Sequence, residues 1–218
     1  MIDLHTHTLF SDGELIPSEL VRRFDFMGYR AVALTDHADS SNLDFIIPRI
    51  VTVAGDMSRE QPVRVIPGVE LTHVPPGMIG KMTERARELG AALVVVHGES
   101  PVEPVAAGTN RAAIDAKVDI LAHPGLITRD EAVLAVENEV FLEISGRAGH
   151  SFTNGHVAKI ATETGAALIL NSDAHSPHDL MSEEFAVKIV EGSGLPEGSL
   201  GVLLSNSRRL LDRIGYSL

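Results

Sequence analysis

No cysteine occurs among the 218 residues of the chain. That absence excludes disulfides, iron–sulfur clusters, thiolate zinc sites and cysteine nucleophiles, so any metal must be held by His, Asp and Glu. It also fits a reducing cytoplasm, the expected location. Long apolar runs are missing too: Ala91 to Val96 and Ala166 to Leu170 have the length of buried strands and fall far short of a bilayer span. The opening Met-Ile-Asp-Leu-His-Thr-His lacks the basic segment and apolar core of a signal peptide. Positive charge is scarce, with 18 Lys and Arg against 30 Asp and Glu and a formal net charge of −12. Stable binding to DNA or RNA is therefore not expected, because that affinity comes largely from cations that displace counterions. A small anionic ligand stays compatible, since bound divalent ions reverse the local field. Gly77-Met78-Ile79-Gly80-Lys81-Met82 has neither the spacing nor the Ser/Thr of a P-loop, and neither a dinucleotide-binding glycine fingerprint nor a Gly-x-Ser-x-Gly elbow occurs.

What is present is alternation. Seven apolar segments, Ile2 to Leu4, Ala31 to Leu34, Arg64 to Pro67, Ala92 to Val96, Val118 to Leu121, Val140 to Ile144 and Ala167 to Leu170, are each followed by polar or glycine punctuation. Amphipathic stretches lie near 18–27, 42–58, 79–89, 110–116, 129–138, 151–164, 182–192 and 206–214. Gly28, Gly90 and Gly165 stand where helices would stop in a left-handed residue, and Thr128 with Glu131 has capping-box spacing. The pattern predicts repeated βα units in a single α/β domain over 1–218, with a parallel sheet, open or closed.

Chemistry-bearing residues fall at the ends of those strands. His5 and His7 are two apart on extended chain and point the same way, and Asp12 of Ser11-Asp12-Gly13 follows within one loop. Asp36-His37 ends the second segment and Glu70 the third, where one carboxylate can bridge two cations. His97 and His123 each follow an apolar run, with Gly98 and Gly125 expected to open room for a ligand. Asp173 and His175 repeat the two-apart spacing at the last strand. In a parallel barrel all these ends share one face, so residues distant in sequence converge there. Buried together without cations they would be costly, which predicts a metal cluster. The other histidines, His73, His150, His156 and His178, are expected to be exposed, with His178 the one placed to touch a substrate.

The order HxH, SDG, TDH, GVE, mid-chain His, HP and DAH resembles the PHP (polymerase and histidinol phosphatase) family across nearly the whole chain, in detail its archaeal histidinol-phosphatase-like members. The resemblance implies a distorted seven-stranded (βα)7 TIM-like barrel and a metal-dependent phosphoesterase. It implies a first metal on His5, His7, Glu70 and Asp173, a second on Glu70, His97 and His123, and a third on Asp12, His37 and His175. The ions would be two or three of Zn, Mn or Fe; many relatives have His at the place of Asp12, so the third site here suits a harder ion such as manganese. It also implies a phosphate contact from Arg147 in Glu143-Ile144-Ser145-Gly146-Arg147, with Arg111 a weaker candidate.

Three divalent ions against three carboxylates leave roughly +3 by charge counting, which suits a small phosphomonoester such as histidinol phosphate or a nucleotide phosphate. In that reading a metal-bound hydroxide attacks phosphorus, with His178, Glu99 and Asp36 as candidate proton donors. Two rivals are an amidohydrolase-type metal hydrolase, which usually carries a bridging Lys where His97 stands, and a non-catalytic barrel serving as a binding subunit.

Overall fold

Each apolar segment becomes a short strand, and almost every strand is joined to the next through a helix. The computed structural model describes residues 1–218. Its strands are β1 (Ile2–Asp3), β2 (Ala31–Leu34), β3 (His37–Ala38), β4 (Arg64–Leu71), β5 (Leu93–His97), β6 (Ile120–Ala122), β7 (Phe141–Ser145) and β8 (Leu168–Asn171). Eight helices accompany them: α1 (Pro17–Phe26), α2 (Leu43–Glu60), α3 (Pro76–Glu88), α4 (Thr109–Asp115), α5 (Arg129–Glu137), α6 (Asn154–Thr164), α7 (Glu183–Gly192) and α8 (Ser199–Arg213). The strands pair in parallel in the order β1-β2-β4-β5-β6-β7-β8. β3 also pairs with β4, directly above β2, so β2 and β3 are one strand interrupted at Thr35-Asp36. Seven parallel strands result.

The barrel is nearly closed. Beyond β1 and β8 the ladder continues irregularly: Leu4 N donates to the Asn171 side chain (2.8 Å), Asp173 N to His5 O (3.0 Å) and His7 N to Ala174 O (2.9 Å). A side-chain amide thus replaces one backbone partner at the seam, and the open end of the sheet is satisfied without a further strand.

Inside the strands lies a cluster that includes Leu4, Ile66, Leu93, Val95, Ile120, Phe141 and Ile169, sealed from below by Leu210 and Leu211 of α8. Outside them, alternate residues such as Val94, Val96, Leu142 and Ile144 pack under the helices in a larger cluster. This is the expected layering of a barrel with both strand faces covered. The helix ends follow their chemistry: Thr128 and Glu131 form the capping box of α5, and Gly28, Gly90 and Gly165 adopt positive φ of 77°, 103° and 81°.

Two boundaries differ most from expectation. β4 runs through Pro67 to Leu71, because Pro67 pairs with the last residue of β2 and its missing N–H falls where that ladder stops. α8 starts at Ser199 rather than near 206, after Gly198 with φ 82°; Leu200 and Leu203 are buried, but Gly201, Ser205 and Asn206 dilute the apolar period. No helix is long and apolar enough to cross a membrane.

Candidate metal centre

The parity of the strands decides which side chains enter the barrel. Along β4, β5, β7 and β8 the inward positions read Ile66-Gly68-Glu70, Leu93-Val95-His97, Phe141-Glu143-Ser145 and Ile169-Asn171, continuing to Asp173, so each passes from apolar to polar toward its C-terminal end. His5 and His7 follow β1, His37 opens β3, and His123 follows β6. At that end His5 Nε2 lies 3.4 Å from Glu70 and 3.7 Å from Asp173, and His7 Nε2 lies 3.2 Å from Asp173. His123 Nε2 is 3.8 Å from Glu70 and 3.7 Å from Asp173. His37 and His175 both face Asp12, at 3.4 and 3.2 Å. His97 lies against His123 with ring centroids 4.4 Å apart, so the nine residues expected as ligands meet at one mouth. His123 and Asp173 hold φ of 28° and 54° there, a conformation that costs L-residues energy and is kept only where surroundings impose it.

The donor set tests whether cations fit. His5 Nδ1 is 2.9 Å from Glu143 Oε1, an acceptor, so Nδ1–H donates and Nε2, a lone pair in the neutral ring, is turned toward Glu70 and Asp173. Lone pairs facing carboxylates are repulsive unless a cation lies between them. His5 Nε2, both nitrogens of His7, His123 Nδ1, Glu70 Oε1 and Asp173 Oδ1 are buried without a hydrogen-bond partner. Unpaired buried polar atoms are rare because each forfeits its hydration, and so many together fit divalent ions. One donor atom from each of His5, His7 and Glu70 lies within 4.8 Å of the others, as it does for His5, His123 and Asp173, and for His7, Asp12, His37 and His175.

Electrostatics point the same way. Burial first, then the neighbouring imidazoles, push His7 and His123 well below the ordinary histidine range, and burial pushes His150 down to about 4. These rings are neutral near pH 7 and keep lone pairs available. Burial pushes Glu70 up, but His5 and His37 outweigh it and hold that carboxyl well below its usual range. Burial lowers His5, yet Glu143, Asp173 and Glu70 outweigh it and raise the ring, so without metal Nε2 holds a proton against those carboxylates, in the place a divalent ion would take.

Several expectations need correction. Arg111 is exposed on α4 and its guanidinium donates to Asp115 at 2.9 Å, away from the mouth. His178 is exposed in the turn after His175 and does not line the cavity. Asp36 is buried beneath the loop after His7, accepting from Thr8 N (2.8 Å), Thr8 Oγ1 (2.8 Å) and Ser11 Oγ (2.8 Å), so it ties down that loop and does not face substrate. Glu99 accepts from Gly108 N and Asn110 N at 2.9 and 3.0 Å and starts α4. Gly98 and Gly125 do not make room for a ligand. A Cβ on Gly98 would stand 2.4 Å from Ala122 O and one on Gly125 1.8 Å from Glu99 O, so both permit close backbone approach.

His150 is the largest departure. It is buried, stacks on His123 with ring centroids 3.9 Å apart, and holds Ser100 Oγ at 2.7 Å from its Nδ1. The sixth of the seven expected strands was the one without a donor at its end, and His150 fills that gap five residues after Ser145, where β7 ends. Glu103 and His73 also reach the mouth, 3.0 Å apart. His156 instead donates to Ile127 O at 2.7 Å. Glu143, deep under His5, was visible as an acid in phase with inward Phe141. Counting Glu103 and Glu143 with the three expected carboxylates lowers the simple charge estimate to roughly +1.

Above the cluster is a cavity of about 230 Å³ whose ten lining residues include no apolar one. Arg147 lines it and is half-buried, its Nη1 donating to Asp173 O at 3.3 Å, the carbonyl that also accepts from His175 Nδ1 at 2.9 Å.

Known proteins resemble the chain in sequence and in fold. An uncharacterized protein of Methanocaldococcus jannaschii is 50% identical over 97% of this chain and 99% of its own length. A probable phosphatase of Shewanella pealeana is 27% identical over 90% of this chain and 86% of its own. Among solved structures, histidinol phosphate phosphatase from Lactococcus lactis, complexed with zinc, L-histidinol and phosphate, superposes with a TM-score of 0.61 at 15% identity, covering 89% of this chain and 94% of that one. A Xaa-Pro dipeptidase with bound methionine has a TM-score of 0.69 at 11% identity over 99% of this chain and 75% of its own, which shows a shared fold. The family model for the PHP domain matches residues 3–214, and the chain belongs to that family.

Proposed function

We propose that the protein is a metal-dependent phosphoesterase that hydrolyses a small phosphomonoester at the C-terminal mouth of the barrel. Family membership and the probable phosphatase relatives support a hydrolase of this class. The carrying observation is the set of buried, unpartnered donors on His5, His7, His123, Glu70 and Asp173 directly beneath a polar cavity. His5, His7, Glu70 and Asp173 would hold one ion, His97 and His123 a second, and Asp12, His37 and His175 a third. Two or three ions of the Zn, Mn or Fe kind suit imidazole–carboxylate donors, with the one-carboxylate, exposed Asp12 group the most weakly enclosed. Bound there, divalent ions supply an acidified water and neutralise charge on phosphoryl oxygens.

The chain's own residues set orientation. Arg147 turns its guanidinium along the cavity wall, braced by Asp173 O at 3.3 Å, and leaves N–H groups for equatorial phosphoryl oxygens. Glu143 and Ser100 fix the rings of His5 and His150 from behind. The size of the cavity favours a small substrate, because pockets for drug-sized ligands begin at roughly 300 Å³.

The test is a panel of phosphate monoesters, phosphodiesters, dipeptides and lactones, assayed after chelation and after return of zinc, manganese or iron. Metal-restored hydrolysis of small phosphomonoesters is the expected result. Cleavage of dipeptides or lactones alone would favour the amidohydrolase reading, and protein that binds no metal would favour a binding role.

A further inference from the structure

The carboxylate that faces His97 is not Glu70. It is Glu103, in the loop between β5 and α4, with Oε2 at 3.1 Å from His97 Nε2 and Oε1 at 3.5 Å from His150 Nε2. His97 Nδ1 lies 3.1 Å from Gly98 O, and a carbonyl can only accept, so the single proton of a neutral ring is on Nδ1. Nε2 is then a lone pair turned toward a carboxylate. A second proton would resolve the clash only by making His97 a buried cation 4.4 Å from the ring of His123. A metal ion resolves it while taking the His123 ring as a further donor.

The pocket around this point is nearly complete. Donor atoms of His97, His123 and His150 lie within 4.8 Å of one another, and all three rings are buried. His123 Nδ1 has no hydrogen-bond partner. His150 lies almost parallel to His123, with 14° between planes, and its Nδ1 is occupied by Ser100 Oγ at 2.7 Å, which aims Nε2 at the pocket.

We propose that His150 and Glu103 are metal ligands: with His97 and His123 they form a four-residue pocket for the second cation, which Glu70 touches only from the His123 side. This rests on the reading of the mouth as a metal centre. Three imidazoles and one carboxylate make that pocket the softest in the cluster, suited to zinc or iron(II) over magnesium.

The experiment is competitive titration of metal-free protein with Zn²⁺ against a chromophoric chelator, repeated with Co²⁺ to read coordination from the visible spectrum. H150Q and E103Q are compared with the unaltered chain, with unfolding curves recorded for each metal-free protein. Supporting results are loss of one tight equivalent, or weakening of one by roughly 10- to 100-fold, together with a changed Co²⁺ spectrum. E103Q, on an exposed loop, decides the matter if H150Q does not fold. Unchanged stoichiometry, affinity and spectrum in the folded variants would overturn the assignment, even if KM for a phosphomonoester rises. Wild-type protein that binds the metal but cleaves no phosphomonoester would sink the proposed function and leave this pocket standing.

Discussion

The lower and upper halves of the barrel are built from the same strands, yet they satisfy themselves in opposite ways. Below, Ile66, Leu93, Val95, Ile120, Phe141 and Ile169 fill the interior against Leu210 and Leu211, and apolar contact needs nothing from outside the chain. Above, at the next inward positions, Glu70, His97, Glu143 and Asp173 replace aliphatics, and several of their neighbours have no partner within the protein. The lower half is a core that supports the fold. The upper half is a cradle that the fold holds ready at an energetic cost, which bound cations would offset.

The widest separation of the two halves comes from chelation. Stripping metal is expected to abolish phosphomonoester hydrolysis while circular dichroism and a cooperative urea transition persist. A chelated chain that unfolds outright would break the comparison, since the lower half would not then stand alone. The complementary change is Ile66→Ala, which deletes buried volume below the site and is expected to cost about 2–5 kcal/mol of stability. Metal stoichiometry of the folded fraction should not move. Metal titration alongside urea unfolding reads both quantities.

A sharper probe lies between the halves. Asp3 is fully buried, accepts from Ser172 N at 3.2 Å and from His5 N at 3.3 Å, and is pushed up to about 6 by burial. Its folded value lies above the unfolded one, so the folded state holds the proton more tightly. The contribution to stability is complete below about pH 4 and is lost as pH rises through about 6, a change of about 3 kcal/mol. D3N should therefore gain stability relative to the parent, by about that amount, between pH 4 and pH 7 in metal-free protein. Equal slopes in urea unfolding would show that Asp3 stays ionised.

How much of this was legible in the sequence follows from period. Apolar runs with glycine-marked helix ends disclose the seven strands, and motifs at strand ends disclose where donors converge, because both depend on local pattern. Pro67 hid the second half of β4, since a proline looks like a strand end unless the neighbouring ladder is known to stop opposite it. His150 was hidden for another reason. It opens a single 3-10 turn, His150–Thr153, too short to carry a period, and only its packing on His123 and anchoring by Ser100 bring it to the mouth. Arg111 erred the other way: a helix-start arginine resembles a phosphate contact until Asp115, one turn on, takes its guanidinium.

The smallest effect expected is also the most discriminating about how the lower half supports the upper. Glu143 Oε1 accepts from His5 Nδ1 at 2.9 Å and from Asn171 Nδ2 at 2.8 Å, while Oε2 accepts from the backbone N–H of His123 at 3.1 Å. One carboxylate thus fixes the ring of one proposed ligand and the strained backbone of another. Gln in its place keeps the volume and one acceptor but turns an NH2 toward a donor, so one of the three bonds is lost. E143Q is expected to weaken metal binding by roughly 10- to 100-fold, about 1.4–2.8 kcal/mol, by loosening ligand orientation. Its urea midpoint should shift little when metal is absent. A purely structural role would show the reverse, with lower stability and unchanged affinity, because Glu143 would then belong to the supporting core.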